Sequence, residues 1–250
     1  MNRKIILNPR YQHLEDFVTH IPETFLSGGE CIYDARNKIK VFSYKGQLLN
    51  VKRYCIPIFF NRLAYLYLRQ PKAVRAYNYA LKLNTLHINT PDPVAYIIEK
   101  ERGLLGYSYF ISLQVPYSRR FYEFGTASLT PANRLILEAF GRFTAQLHEA
   151  GVYHQDYSPG NILFDCPASG PEFCIVDINR MKFGPVSFRK GCANFARLWG
   201  PKNMFGIIAR GYASARGCNE EETLKEIWKA RRIYWQKAIR KHPAEFPLEL

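Results

Sequence analysis

Residues 153–164, Tyr-His-Gln-Asp-Tyr-Ser-Pro-Gly-Asn-Ile-Leu-Phe, place a histidine, an aspartate and an asparagine at H-x-D-x-x-x-x-N spacing. Moving a phosphoryl group onto a hydroxyl requires a carboxylate that orients the hydroxyl and takes its proton. It also requires oxygen ligands for the metal ion on the nucleotide phosphates. Asp156 fits the first role, and Asn161, a few residues on, fits the second. His154 is placed to brace the loop through the backbone. Asp177 follows the apolar run FCIV and, with Asn161, gives a hard divalent cation two oxygen ligands. Upstream, Val51-Lys52-Arg53-Tyr54 closes a β-rich run. Lys52 is the candidate to hold the α- and β-phosphates of a nucleotide, and Arg53 should face the other side of the strand.

These residues must be positioned by a framework the sequence also announces. ECIYDA, KIKVFSY and QLLNVKRY are β-rich runs separated by Arg36-Asn37 and Lys45-Gly46, which is turn chemistry. They predict a three-stranded antiparallel meander. A short helix over 12–20 should stop at Pro22. Residues 72–86 repeat apolar positions at helical spacing. Pro91 and Pro93 end that helix and open a strand, and SYFISLQV (108–115) is another. Thr130-Pro131 reads as an N-cap followed by proline at the first helical position, and the helix should run to Gly151. NILFD and FCIVDI form an inserted hairpin ahead of a mainly helical remainder. The predicted fold class is α+β, a protein-kinase-like two-lobed fold. One domain spans 1–250, with an N-lobe of about 22–115 and a C-lobe of about 116–250.

Composition narrows the setting. The chain has 250 residues, 47% hydrophobic and 15% aromatic, enough for a sizeable core. A formal charge of +14 asks for an anionic partner. The six cysteines form no C-x-x-C pair and read as free thiols. No run reaches the length of a membrane span or a signal peptide, so the expected location is cytoplasmic, with peripheral attachment at the inner face of the inner membrane left open. The helix EEETLKEIWKARRIYWQKAIRKHP carries an apolar stripe (Leu224, Ile227, Trp228, Trp235, Ala238, Ile239) and basic faces (Lys225, Lys229, Arg232, Lys237, Arg240, Lys241). The stripe suits a lobe-closing helix, and the basic faces suit an anionic membrane surface. The run Arg62–Arg69 alternates tyrosine and leucine between charges and suits either a lipid interface or packing beneath the N-lobe.

The sequence resembles the lipopolysaccharide kinase family, which phosphorylates Kdo or heptose of the lipopolysaccharide inner core. The matching stretches are IYDARNKIKVF (32–42), NVKRY (50–54), INTPDPVAYIIE (88–99), YSYFIS (107–112), LHEAGVYHQDYSPGNILF (147–164) and VDINRMKF (176–183). More distantly, DYSPGN and the later aspartate are similar to RIO-type atypical kinases and aminoglycoside phosphotransferases. The resemblance implies ATP, Mg2+ and transfer to a sugar hydroxyl, with a Kdo residue on lipid A as the expected acceptor and nucleic acid not expected as a partner. Arg180, three residues after Asp177, is the preferred contact to an acidic sugar, ahead of Arg119, Arg120, Arg189 and Lys190.

Three departures from ordinary protein kinases stand out. Tyr33–Lys38 replaces the glycine-rich loop, with Arg36 or Lys38 able to reach phosphate. Asp177-Ile178-Asn179 replaces D-F-G, and no A-P-E segment follows. Finally, KAVRAYNYALKL has no acid to pair with Lys52: Asn78 is placed as an inward amide, and Glu99 or Glu101 are the alternatives. Two other readings stay open, a RIO-like protein kinase or ATPase and a nucleotide-binding pseudokinase.

Overall fold

The computed structural model describes residues 2–60, 62, 65, 69–240 and 248–250. The chain divides into two compact units, residues 1–116 and 117–250. The run Arg62–Arg69 falls largely outside the described residues, as does Lys241.

The first unit is built on a six-stranded antiparallel sheet of order β1-β5-β6-β4-β3-β2. Its strands are β1 (Asn2–Leu7), β2 (Glu30–Asp34), β3 (Lys38–Tyr44), β4 (Gln47–Tyr54), β5 (Pro93–Glu101) and β6 (Leu104–Leu113). The β2–β3–β4 meander follows the predicted turns. At its second turn Lys45 and Gly46 take positive φ of 47° and 74°, which bends the chain with the twist of the strands. β1, which carries Arg3 and Lys4 and exposes every second residue, pairs along β5 at the sheet edge.

One face of the sheet is covered by α1 (Glu15–Thr24). Leu14, Val18, Ile21 and Phe25 pack there on Leu49, Val51, Ile97, Tyr109 and Ile111. The helix does not stop before Pro22 but carries it in its last turns. The buried apolar row Leu14, Val18, Ile21 and Phe25 continues through that point, and packing outweighs the one missing amide. The other face takes α2 (Lys72–Thr85), which buries Ala73, Ala76, Tyr77, Ala80 and Leu83. Tyr77 meets Tyr96 edge to face at 5.3 Å.

The second unit is mainly helical: α3 (Pro131–Glu149), α4 (Phe188–Asn194), α5 (Lys202–Arg216) and α6 (Glu220–Ala238). Thr130 caps α3 as expected, its hydroxyl accepting from the Asn133 N–H at 3.2 Å. α3 and α5 cross on two glycines. A methyl group added at Gly141 would stand 2.3 Å from the Ile208 carbonyl oxygen, and one at Gly211 would stand 2.0 Å from that of Glu138. Only glycine permits backbones this close, and the crossing fixes how the end of α3 meets α5.

Short strands carry the loops: β7 (Arg119–Arg120), β8 (Val152–His154), β9 (Ile162–Asp165), β10 (Glu172–Ile175) and β11 (Met181–Phe183). β9 and β10 form the predicted hairpin, with β7 beside β9, while β8 pairs with β11. α6 buries Ile227 and Trp235, half-covers Leu224, Trp228 and Ala238, and leaves Ile239 exposed; Lys225, Lys229, Arg232, Lys237 and Arg240 lie outward. Its apolar stripe therefore serves the core. No helix among the described residues is long and apolar enough to cross a membrane.

Candidate active site

The loop between β8 and β9 is held by its own backbone. His154 is buried, its Nε2 lies 3.0 Å from the Val176 carbonyl, and its Nδ1 lies 3.0 Å from the Asp156 amide. One tautomer satisfies both contacts: Nε2–H donates to the carbonyl, and Nδ1 accepts from the amide N–H. A protonated ring would lose the second bond. Burial pushes the His154 pKa down, in agreement with a neutral ring. The histidine is thus a brace, and it ties the Asp156 loop to the segment that leads into Asp177.

Asn161 closes the loop. Its Nδ2 donates to the Asp156 carbonyl at 2.8 Å, and its own carbonyl accepts from Val176 N–H at 3.0 Å. The amide nitrogen is thereby committed inward, which turns Oδ1 into the atom left for a cation. Asp177 takes a left-handed conformation (φ 55°, ψ 44°), unusual for a residue with a side chain. Asn179 Nδ2 donates to its Oδ1 at 2.6 Å. Asp156, Asn161 and Asp177 are therefore knitted through Val176 and His154 into one constellation. Its hard oxygen donors suit magnesium, and among the described residues no group of three or more His, Cys, Asp or Glu competes as a metal site.

The Asp156 carboxylate meets two arginines. Arg197 Nη2 lies 2.9 Å from Oδ1, and Arg180 Nη1 lies 3.7 Å from Oδ2. Arg180 was singled out from sequence; Arg197 was not, because it follows Asp156 by four elements and no local motif marks it. Arg119 is instead bound to Glu123 at 2.8 Å, and Lys190 sits over the Tyr153 ring at 5.1 Å.

A further network supports the loop from behind. Asn194 Nδ2 donates to the His154 carbonyl at 2.8 Å, and its Oδ1 lies 3.0 Å from His148 Nε2. His148 Nδ1 is 2.8 Å from the Tyr212 hydroxyl, which accepts from Arg216 Nη1 at 2.8 Å. Because the hydroxyl accepts from Arg216, it donates to His148, whose Nε2–H then donates to Asn194. Every member is satisfied only with His148 neutral. Burial pushes its pKa down to about 4.

In the first unit, Lys52 lies on β4 opposite Ile39 and Phe110, on the sheet face that α2 covers. Arg53 turns to the other face as expected and stacks on Phe25 and Tyr107 at 4.7 and 4.5 Å. Lys52 Nζ lies 5.4 Å from the Tyr54 ring. The expected substitutes for a helix acid do not hold. Asn78 is exposed, since the phase of α2 is set by Ala73, Ala76, Tyr77 and Ala80. Glu99 is engaged by Arg3 at 3.1 Å, and Glu101 faces Arg62 at 3.8 Å.

The fold and this constellation define a kinase-like protein. The chain belongs to the lipopolysaccharide kinase (Kdo/WaaP) family, whose sequence pattern matches residues 37–202. Among solved structures, WaaP in complex with acyl carrier protein aligns with a TM-score of 0.61 at 15% identity, covering 96% of this chain and 99% of that one. A Rio2 kinase–ADP/Mg2+–phosphoaspartate complex from Chaetomium thermophilum aligns with a TM-score of 0.47 at 17% identity, covering 88% and 74%. No curated protein matches by sequence.

Proposed function

We propose that the chain transfers the γ-phosphoryl group of ATP to a sugar hydroxyl of the lipopolysaccharide inner core, with a Kdo residue on lipid A as the acceptor. The observation that carries this reading is the loop in which His154 and Asn161 lock the backbone of Asp156 from both sides. A carboxylate held this way pays little reorganisation when a hydroxyl arrives.

Asp156 accepts a hydrogen bond from the acceptor hydroxyl and aims its oxygen at the γ-phosphorus. The new O–P bond forms as the bond to the β-phosphate oxygen breaks, the hydroxyl proton passes to Asp156, and ADP leaves. Lys52 holds the α- and β-phosphates. Asn161 and Asp177 would hold magnesium, which when bound would neutralise charge on the nucleotide phosphates. Arg197 and Arg180 stand where an anionic acceptor meets Asp156, and a carboxylated, phosphorylated sugar suits that pair. The absence of D-F-G and A-P-E segments supports a small acceptor over a protein one.

The exposed cations of α6 support an anionic membrane surface as partner at the cytoplasmic face, where ATP is present. The neighbour solved in complex with acyl carrier protein supports such a carrier as a second partner, tested by co-elution of the two purified proteins. The decisive experiment incubates the purified chain with ATP, Mg2+ and Kdo-bearing lipid A. Mass spectrometry should find one added phosphate on the Kdo fragment, whereas ATP turnover with no phosphate on any core sugar would overturn the assignment.

A further inference from the structure

The stretch that follows β4 begins Cys55-Ile-Pro-Ile-Phe-Phe60, and its large side chains turn outward. Ile58 is 70% exposed, Phe59 58% and Phe60 79%. The two phenyl rings meet edge to face at 6.1 Å. The Arg62 N–H donates to the Ile58 carbonyl at 3.0 Å, so the run is a hydrogen-bonded turn rather than a loose loop. Three consecutive large apolar side chains facing water are not ordinary surface. Together they form an exposed apolar tip.

A pocket opens beside this tip, lined by Arg36, Tyr54, Pro57, Tyr65, Lys72 and Ser108. Pro57 belongs to both features, and no carboxylate lines the pocket among the described residues. Arg75, one turn on from Lys72 in α2, presents two guanidinium nitrogens, Nε and Nη2, that are shut off from solvent and make no hydrogen bond. Tyr54 and Tyr65, both in the pocket wall, are close enough to act on its charge, and burial and the neighbouring Arg69 push its pKa down. Buried donors without acceptors are costly, and the Arg75 charge adds to the positive field on the Tyr54 and Tyr65 side of the pocket.

We propose that this corner of the N-terminal unit docks on an anionic phospholipid surface, with Ile58, Phe59 and Phe60 entering the acyl region and a lipid phosphate seated between Arg36 and Lys72. An apolar tip bordered by cations matches the layering of a bilayer interface, apolar within and anionic at the headgroups. Docking deepens the reading of a membrane-borne acceptor, on which its purpose rests, but its test needs neither sugar nor nucleotide. Failure of the kinase reading leaves that test untouched.

The experiment is sedimentation of the full chain with phosphatidylcholine vesicles, with and without phosphatidylglycerol. Wild type should bind the phosphatidylglycerol vesicles much the more tightly. The Phe59→Ser/Phe60→Ser pair, altered only at exposed positions, should bind them about tenfold more weakly at an unchanged melting temperature. Arg36→Gln/Lys72→Gln should erase the preference for the anionic lipid while keeping residual binding. Unchanged binding by the phenylalanine pair would overturn the proposal. So would loss of binding in Lys229→Glu/Arg232→Glu on α6 while the phenylalanine pair stays neutral.

Discussion

The loop around Asp156 and the strand end around Lys52 carry halves of the same candidate chemistry but are built differently. Around Asp156 the loop is tied by polar contacts: His154 to Val176, Asn161 to the Asp156 carbonyl, Asn194 to the His154 carbonyl, and Arg216 through Tyr212 and His148 to Asn194. Near Lys52 the Tyr54 ring lies 5.4 Å from Nζ, and α2 carries no acid. A locked, satisfied network fixes geometry, and geometry is what a group acting on reacting atoms requires. A lysine that grips phosphate needs charge and reach more than rigidity. On the proposed function, the contrast assigns the more stringent role to the Asp156 loop.

Substitutions should divide along that line. Asp177→Ala should lower phosphoryl transfer by about a thousandfold with the fold intact, read as single-turnover rate across a magnesium titration. A small loss that does not change across the magnesium titration would move the metal elsewhere.

The buried histidines give the second largest effect, through acid. As pH falls, the unfolded chain takes up protons near 6.5, whereas folded His148 resists until about 4. Its contribution is therefore fully present above 6.5 and lost on descending toward 4, by about 1.4 kcal/mol per pH unit. His154, lowered in the same direction, adds to the loss. Denaturant melts across that window should show the decline, and His148→Gln should make it shallower; an equal slope would show that the network does not demand neutrality.

Lys52→Met should be milder. We expect the KM for ATP to rise about tenfold, with kcat changed less, because the lysine binds ground state and transition state alike. A collapse of kcat would erase the contrast between the two regions. The smallest effect is Asn78→Ala, expected to alter neither stability beyond about 0.5 kcal/mol nor transfer, since the side chain lies in solvent. A marked loss would return Asn78 to the role the sequence suggested for it.

How much of this was legible follows from where the information lies along the chain. The Asp156 loop is local: histidine, aspartate and asparagine occur within a few residues, and the turn at Lys45-Gly46 is equally local. Asn194 and Arg197 lie at and just past the end of α4, while His148 and Tyr212 come from α3 and α5, which meet at the glycine crossing, and no spacing rule reaches that far. Asn78 was misplaced because tyrosines flank it on α2 and two helical phases look alike until Ala73, Ala76 and Ala80 choose one. α1 passes Pro22 because its buried face continues. β1 hid because NRKIIL only half-covers every second residue of an edge strand and carries a charge on each face. The exposed Ile58–Phe60 tip was equally hidden, since an apolar run reads as core until its surroundings are known.

The central claim is that Asp156 receives the acceptor hydroxyl. It is tested most directly by purified Asp156→Asn, assayed for phosphate transfer to Kdo-bearing lipid A beside wild type, with nucleotide affinity measured on the same samples. The account predicts a loss of about a thousandfold or more in transfer, unchanged melting and retained ATP binding. Transfer within a few fold of wild type by a folded Asp156→Asn would contradict it.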